Sequence, residues 1–160
     1  MRELDILGVR LDLPSRPMLL LRESGGARCL PIWIGAAEAS AIASAMEGLV
    51  PPRPLTHDLF AEVLTELGHT ELAGRITAVT DGTFMAELEI DGHIISARPS
   101  DVVALAIRAG IVVTCPEDLL EEVGVVLETE GDDEVEKFRE FLDNVTPDDF
   151  ESGEEPPNPV

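Results

Sequence analysis

The chain has 160 residues, 44% of them hydrophobic, so one domain with a real core is expected. No apolar run approaches the roughly 18 residues that span a bilayer, which excludes a membrane-crossing helix. Eleven Lys and Arg stand against 32 Asp and Glu, and the net charge of −21 makes a field that repels nucleic acid instead of recruiting it by counterion release.

That charge is uneven. Residues 1–116 carry 9 basic and 15 acidic side chains, net −6, whereas 117–160 carry 2 and 17, net −15. Lys137 is the only lysine. The N-terminus, Met1-Arg2-Glu3-Leu4-Asp5, has acidic residues where a signal peptide places its apolar core, so a cytoplasmic chain is expected. Cys29 and Cys115 lack CxxC spacing and read as buried, reduced thiols.

In chain order, Leu7, Val9, Leu11 and Leu13 alternate with polar or small residues, the pattern of a half-buried strand over Leu4–Leu13. Pro14-Ser15-Arg16-Pro17 turns the chain into a short apolar strand, Met18–Leu21. Ser24-Gly25-Gly26 turns it again into a third strand, Arg28–Ile34, in which Pro31 lacks an N–H and belongs at a sheet edge or bulge. Gly35 then opens a slim, alanine-rich helix from Ala36 to Glu47, stopped at Gly48. Pro51-Pro52-Arg53-Pro54 makes a stiff connector. Thr56 is the expected N-cap of a second helix, whose Leu59, Phe60, Val63, Leu64 and Leu67 form one helical stripe.

The clearest β pattern follows. Phe84, Ala86, Leu88 and Ile90 alternate with Met85, Glu87, Glu89 and Asp91, and Asp81-Gly82 and Asp91-Gly92 flank the run as tight-turn signals. The reading is a meander of Arg75–Thr80, Thr83–Ile90 and His93–Ala97. Pro99-Ser100-Asp101 opens a third helix with Val102, Leu105, Ala106 and Ala109 inward, and Gly110 stops it. Ile111-Val112-Val113 is expected as a buried strand, Pro116–Glu122 as one or two helical turns, and Val125–Leu127 as an edge strand. The spacing therefore predicts an α+β fold: a mixed or antiparallel sheet with a β-meander, packed against three main helices. Residues 1–131 make the folded domain. Residues 132–160 are an acidic tail with an amphipathic helix over 134–145 and disorder after it.

The site-like residues concentrate in two stretches. Glu38 and Glu47 are candidate metal ligands or acid–base groups, but nine positions at 100° put them on opposite sides of one helix. Glu38 shares a stripe with Ile42 and Met46, and equally suits a first helical turn. His57 can carry protons or bind a metal, and Asp58 either caps its helix or joins the site. His69 and His93 read as surface residues. In Arg98-Pro99-Ser100-Asp101, Ser100 or Asp101 can cap the helix, and Arg98 beside free N–H groups suits a phosphate or carboxylate. Glu38, His57, Arg98 and Asp101 each lie near a helix start and are expected to converge. No P-loop, GxGxxG, HExxH or Ser-His-Asp spacing is present.

Pro31-Ile32-Trp33-Ile34-Gly35 with Glu38-Ala39, then Glu47-Gly48, Arg53-Pro54-Leu55-Thr56-His57-Asp58, and Arg98-Pro99-Ser100-Asp101 with Ala104-Leu105-Ala106 resemble the bifunctional nuclease domain family over roughly residues 1–130. The resemblance implies an oligomeric α+β domain acting on DNA and RNA. Glu38, Glu47, Arg53, His57, Arg98, Ser100 and Asp101 match the family's polar positions, without the resemblance saying which are catalytic. For hydrolysis of a phosphodiester, Glu38, His57 and Asp101 are the candidate catalytic residues and Arg53, Arg98 and Ser100 the candidate phosphate-binding ones. Glu38, Glu47 and Asp101 are the candidate ligands of a divalent metal, Mg or Mn, which polarises the phosphate and activates water. The alternative is a non-enzymatic module that binds an anion or a protein partner through Arg53 and Arg98.

Overall fold

The alternating N-terminal run and two apolar runs form three strands, β1 (Arg2–Asp12), β2 (Arg16–Glu23) and β3 (Arg28–Trp33). They pair antiparallel in sequence order, with Val9 opposite Leu19 and Leu19 opposite Ile32. A computed structural model describes residues 1–12 and 16–127; the helix expected over 134–145 and the disorder expected after it lie outside the described residues.

A second meander follows two helices, α1 (Ala36–Met46) and α2 (Thr56–Glu66). It consists of β4 (Leu72–Thr80), β5 (Thr83–Ile90) and β6 (His93–Ala97). Both of its turns are two-residue Asp-Gly loops. Asp81 and Gly82 have φ of 50° and 76°, and Asp91 and Gly92 have 46° and 81°. Positive φ at both central residues gives the turn a twist that matches the flanking strands.

The third helix, α3 (Pro99–Ala109), leads into β7 (Val113–Cys115); α4 (Glu117–Val123) and the two-residue β8 (Val125–Val126) follow. The short β7 joins the two meanders. It runs antiparallel to β1 and parallel to β4, giving the order β6-β5-β4-β7-β1-β2-β3-β8 in one sheet. The expected strand Ile111–Val113 is thus displaced to Val113–Cys115. The end of α3 uses Ile111 instead: Gly110 adopts a left-handed φ of 66°, and the Ile111 N–H bonds back to the Ala106 carbonyl at 3.1 Å. That closure satisfies an orphan carbonyl at the helix terminus. Pro31 lies beyond the reach of β8, which pairs only Arg28 and Cys29, so its missing N–H faces an open edge.

The core gathers Leu19, Leu21, Leu30, Ile42, Ile76, Val103, Leu105 and Val113, all under 3% exposed. The central helix is α3, which packs on β4 and β5 on one side and meets α1 and α2 on the other. Val102 to Ala106 are consequently all buried, and only Ala109 of the expected inward residues stays exposed. Gly74 permits the close approach, since a Cβ there would lie 2.6 Å from Val102 Cγ1. At one end of the sheet, Arg28 bonds both Glu23 and Glu117, tying the β2–β3 turn to α4.

The α2 stripe does not face inward. Only Leu64 is buried; Leu59, Phe60, Val63 and Leu67 remain exposed, while Ala61 packs against the core and His57 and Asp58 bond to α3. Leu88 and Ile90 are buried as the alternation requires, and Phe84 is half-buried at the strand's start. Leu88→Ala is expected to cost about 2–5 kcal/mol, since it removes a buried side chain and leaves a cavity. Urea unfolding measures it, and an unchanged midpoint would contradict the packing of β5.

Candidate functional site

Three helix N-termini meet at one cleft. In α3, Pro99 stands at the first helical position, and a residue before proline is pushed to extended backbone. Arg98 accordingly has φ −82° and ψ 143° and projects from the β6–α3 junction. One turn later Asp101 lies within reach, and Arg98 Nε donates to Asp101 Oδ2 at 2.7 Å. In α1, Gly35 takes the cap position and Glu38 follows in the first turn. Glu38 folds its carboxylate back over Gly35, where a Cβ would collide with it. Arg98 Nη2 donates to Glu38 Oε1 at 2.9 Å. In α2, His57 Nε2 lies 3.0 Å from Asp101 Oδ1.

Asp101 thus receives two charged or polar partners at once. Burial pushes its carboxyl up, but the hydrogen bonds from Arg98 and His57 outweigh burial and hold it below the ordinary value. An ionised Asp101 requires a proton on His57 Nε2, which leaves Nδ1 as the basic nitrogen. The Arg98 guanidinium is stabilised in its charged form, first by Asp101 and then by Glu38. It spends two of its five N–H donors on them and remains 65% exposed, so three donors are open to a ligand.

The cleft has a volume of about 600 Å³ and is lined by Glu38, Ser40, Ser44, His57, Arg98 and Asp101, among others. Behind it, His57, Arg98 and Asp101 also border an apolar pocket of about 390 Å³ walled by Phe60, Leu88, Ile95 and Leu105.

The other expected site residues fall elsewhere. Glu47 terminates α1, exposed, about 13 Å along the axis from Glu38 at roughly 1.5 Å per residue. Arg53 stands exposed on the connector and does not line the cleft. Ser100 is 5% exposed, and it borders a separate groove. Neither Ser100 nor Asp101 caps α3, which has no side-chain cap. Leu55, not Thr56, occupies the N-cap position of α2, and Asp58 Oδ2 accepts the Leu55 N–H at 2.9 Å. His69 pairs with Asp91 at the surface.

Among the described residues, no three His, Cys, Asp or Glu side chains are grouped to hold a metal ion. Arg98 bridges Glu38 and Asp101, the two carboxylates that share the cleft, and Glu47 is remote. Glu38, Glu47 and Asp101 therefore do not form a metal cradle in this arrangement.

One supporting residue carries no flag in the sequence. Arg108 is 10% exposed, and its Nε donates to Asp58 Oδ1 at 2.6 Å. Its Nη1 donates to the Ala104 carbonyl at 2.7 Å, and its Nη2 to the Ala41 carbonyl at 3.1 Å. Arg108 thereby ties α1, α2 and α3 together beside the cleft. A last-turn arginine satisfies the helix dipole anyway, so its position alone does not mark it.

The architecture defines an α+β domain with a polar cleft at the junction of three helices. Residues 19–128 match the family model described as bifunctional nuclease domain, and the chain belongs to that family. Uncharacterized proteins from two Mycobacterium tuberculosis strains, CDC 1551 and H37Rv, are each 47% identical over 163 residues, covering 95% of this chain and 99% of theirs.

Proposed function

We propose that the chain hydrolyses phosphodiester bonds of DNA or RNA at the Glu38–Arg98–Asp101–His57 cleft. The observation that carries this reading is the shared use of Asp101, which orients a histidine and an arginine side by side. His57 Nδ1 takes the proton of an attacking water while Asp101 holds the ring; the water oxygen bonds to phosphorus as the P–O ester bond breaks, and the departing oxygen takes its proton from solvent. Arg98 meets the non-bridging phosphate oxygens with its remaining donors. Glu38 holds Arg98 from the far side.

No step is assigned to Mg or Mn. Its requirement is decided by cleavage with and without Mn²⁺, and its place by melting: a melting temperature that Mn²⁺ raises in the full chain but not in Glu38→Gln puts the ion at the cleft. The nuclease reading is tested by incubating the chain with single-stranded DNA and RNA, with and without Mn²⁺. Absence of cleavage in every condition would sink it and favour an anion-binding module.

The same proposal includes self-association and a cytoplasmic location. Leu59 and Leu67 on α2 are each more than half exposed, and Ile95 on the sheet-edge strand β6 is 47% exposed. The β6 sequence, HIISA, has none of the Lys, Glu or Pro residues that usually protect an edge. Phe60 and Ile95 wall one pocket, so the helix and strand faces are contiguous. A second copy placed there covers both. Light scattering is expected to give a multiple of the 17.2 kDa chain mass, and Ile95→Lys with Leu59→Asp to give the monomer. A monomeric wild type would refute this. Cys29 and Cys115 are free and buried, with the Cys115 thiol pushed up to about 11 by burial, which suits a reducing compartment. Two thiols should react after denaturation without reductant; none reacting would refute that placement.

A further inference from the structure

Arg98 borders a second groove, of about 510 Å³, whose lining does not include His57. Trp33 at the end of β3, Phe84 at the start of β5, Arg16, Thr83 and Ser100 line it with Arg98. Its described lining contains two arginines and no Asp or Glu, in a chain of net charge −21. The Arg16 guanidinium lies over the Trp33 ring, 4.7 Å from its centroid. That contact holds the cation at the groove and limits the indole's motion. Trp33 nevertheless stays 44% exposed, although indole is among the costliest side chains to leave in water. The α2 stripe does not explain this exposure, because the groove borders none of its residues.

An exposed aromatic ring beside arginines is the combination that binds unpaired nucleic-acid strands. Bases stack on the ring whatever their identity, and the cations follow the phosphates. A base inside a duplex has its faces covered by its neighbours and cannot use such a ring. Arg98 belongs to both the groove and the cleft, so a strand lying across it reaches both. We infer that the Trp33–Arg16 groove is a strand-binding subsite. It stacks an unpaired base of single-stranded nucleic acid on Trp33, holds an adjacent phosphate at Arg16, and presents the neighbouring phosphate at Arg98. The inference rests on the hydrolytic reading of the cleft and names its substrate class as single-stranded. It also gives a local answer to the global charge, since the base and its adjacent phosphate meet a described lining with two arginines and no Asp or Glu.

Trp33 is the only tryptophan, so intrinsic fluorescence excited at its red edge reports on this groove alone. The experiment titrates the full chain with short oligo-deoxythymidine at low salt, and in parallel with a duplex of equal length. The expected result is saturable quenching by the single strand and none by the duplex. Arg16→Ser is expected to weaken binding about tenfold and to lower the salt dependence by about one phosphate contact. Trp33→Ala, followed by anisotropy of a labelled oligonucleotide, is expected to weaken it to a similar degree. Cleavage measured in the same samples separates the two readings. Quenching without cleavage keeps the subsite and removes the hydrolytic role of the cleft. Cleavage of single strands with unchanged Trp33 fluorescence overturns the subsite and keeps the hydrolytic role. Equal quenching by duplex and single strand also overturns it.

Discussion

Asp101→Asn is expected to lower phosphodiester cleavage by about 10²- to 10⁴-fold, the usual worth of a positioned general base. Asp101 accepts two hydrogen bonds, from His57 Nε2 and Arg98 Nε, with different oxygens. An asparagine supplies one acceptor and one donor group in the same space. Its NH2 group cannot accept from either partner. If it turns toward His57, the ring must present an unprotonated Nε2, and Nδ1 then carries the proton and loses its basicity. If it turns toward Arg98, the guanidinium is released from one of its two anchors. Either outcome removes a group from its working position without removing volume. Asp101 is 35% exposed, so the fold should survive with a loss of about 1 kcal/mol. His57→Ala should fall by a similar factor, and the double variant should be no worse than the poorer single one, because the two side chains act as a unit. The readout is kcat/KM on a single-stranded substrate beside a thermal melt. A twofold loss for Asp101→Asn at unchanged stability would remove His57 as the base.

What the sequence made legible was local. Asp81-Gly82 and Asp91-Gly92 announce two-residue hairpins because only a few residue pairs tolerate positive φ twice in succession. The β5 alternation and the glycine stop after α3 depend on neighbours only a few residues away. The parallel pairing of β4 with β7 depends on residues about forty positions apart, Gly74 and Val113, and no local pattern encodes it. The cleft was half legible for the same reason. Arg98 and Asp101 share one helix start, so their contact follows from an i,i+3 spacing. Glu38 and His57 had to be placed by chemistry, as polar residues near helix starts. Glu47 does not line the cleft because helix phase sends it away, a conflict already present in its nine-residue spacing. The outward α2 stripe was invisible because a 3.6-residue period marks an apolar face but does not say what covers it. The contact of Arg16 with Trp33 joins two strands through side chains, and the sequence holds no sign of it.

Arg108→Ala should destabilise the domain toward the lower end of the roughly 3–5 kcal/mol typical of breaking a buried ion pair. Arg108 is nearly covered, but Asp58 keeps 23% of its side chain in solvent, and water there offsets part of the loss. The variant leaves the Asp58 carboxylate without its cation and two helix carbonyls, Ala41 and Ala104, without a donor. The pH dependence identifies the cause. Hydrogen bonding from Arg108, then from the Leu55 N–H, holds the Asp58 carboxyl below the ordinary aspartate value. A carboxyl whose folded value is depressed adds stability above its unfolded value, about 3.9, and loses it as pH falls through the folded one. The gap between wild type and Arg108→Ala should therefore be full near neutrality and narrow at low pH, where Asp58 is protonated in both. Arg108→Met keeps the stem and removes the charge. If it matched wild type at pH 7 in urea unfolding, packing and not the ion pair would be what joins the three helices. If the ion pair holds them, both variants should also weaken cleavage, because α1, α2 and α3 carry Glu38, His57 and Asp101 into the same cleft.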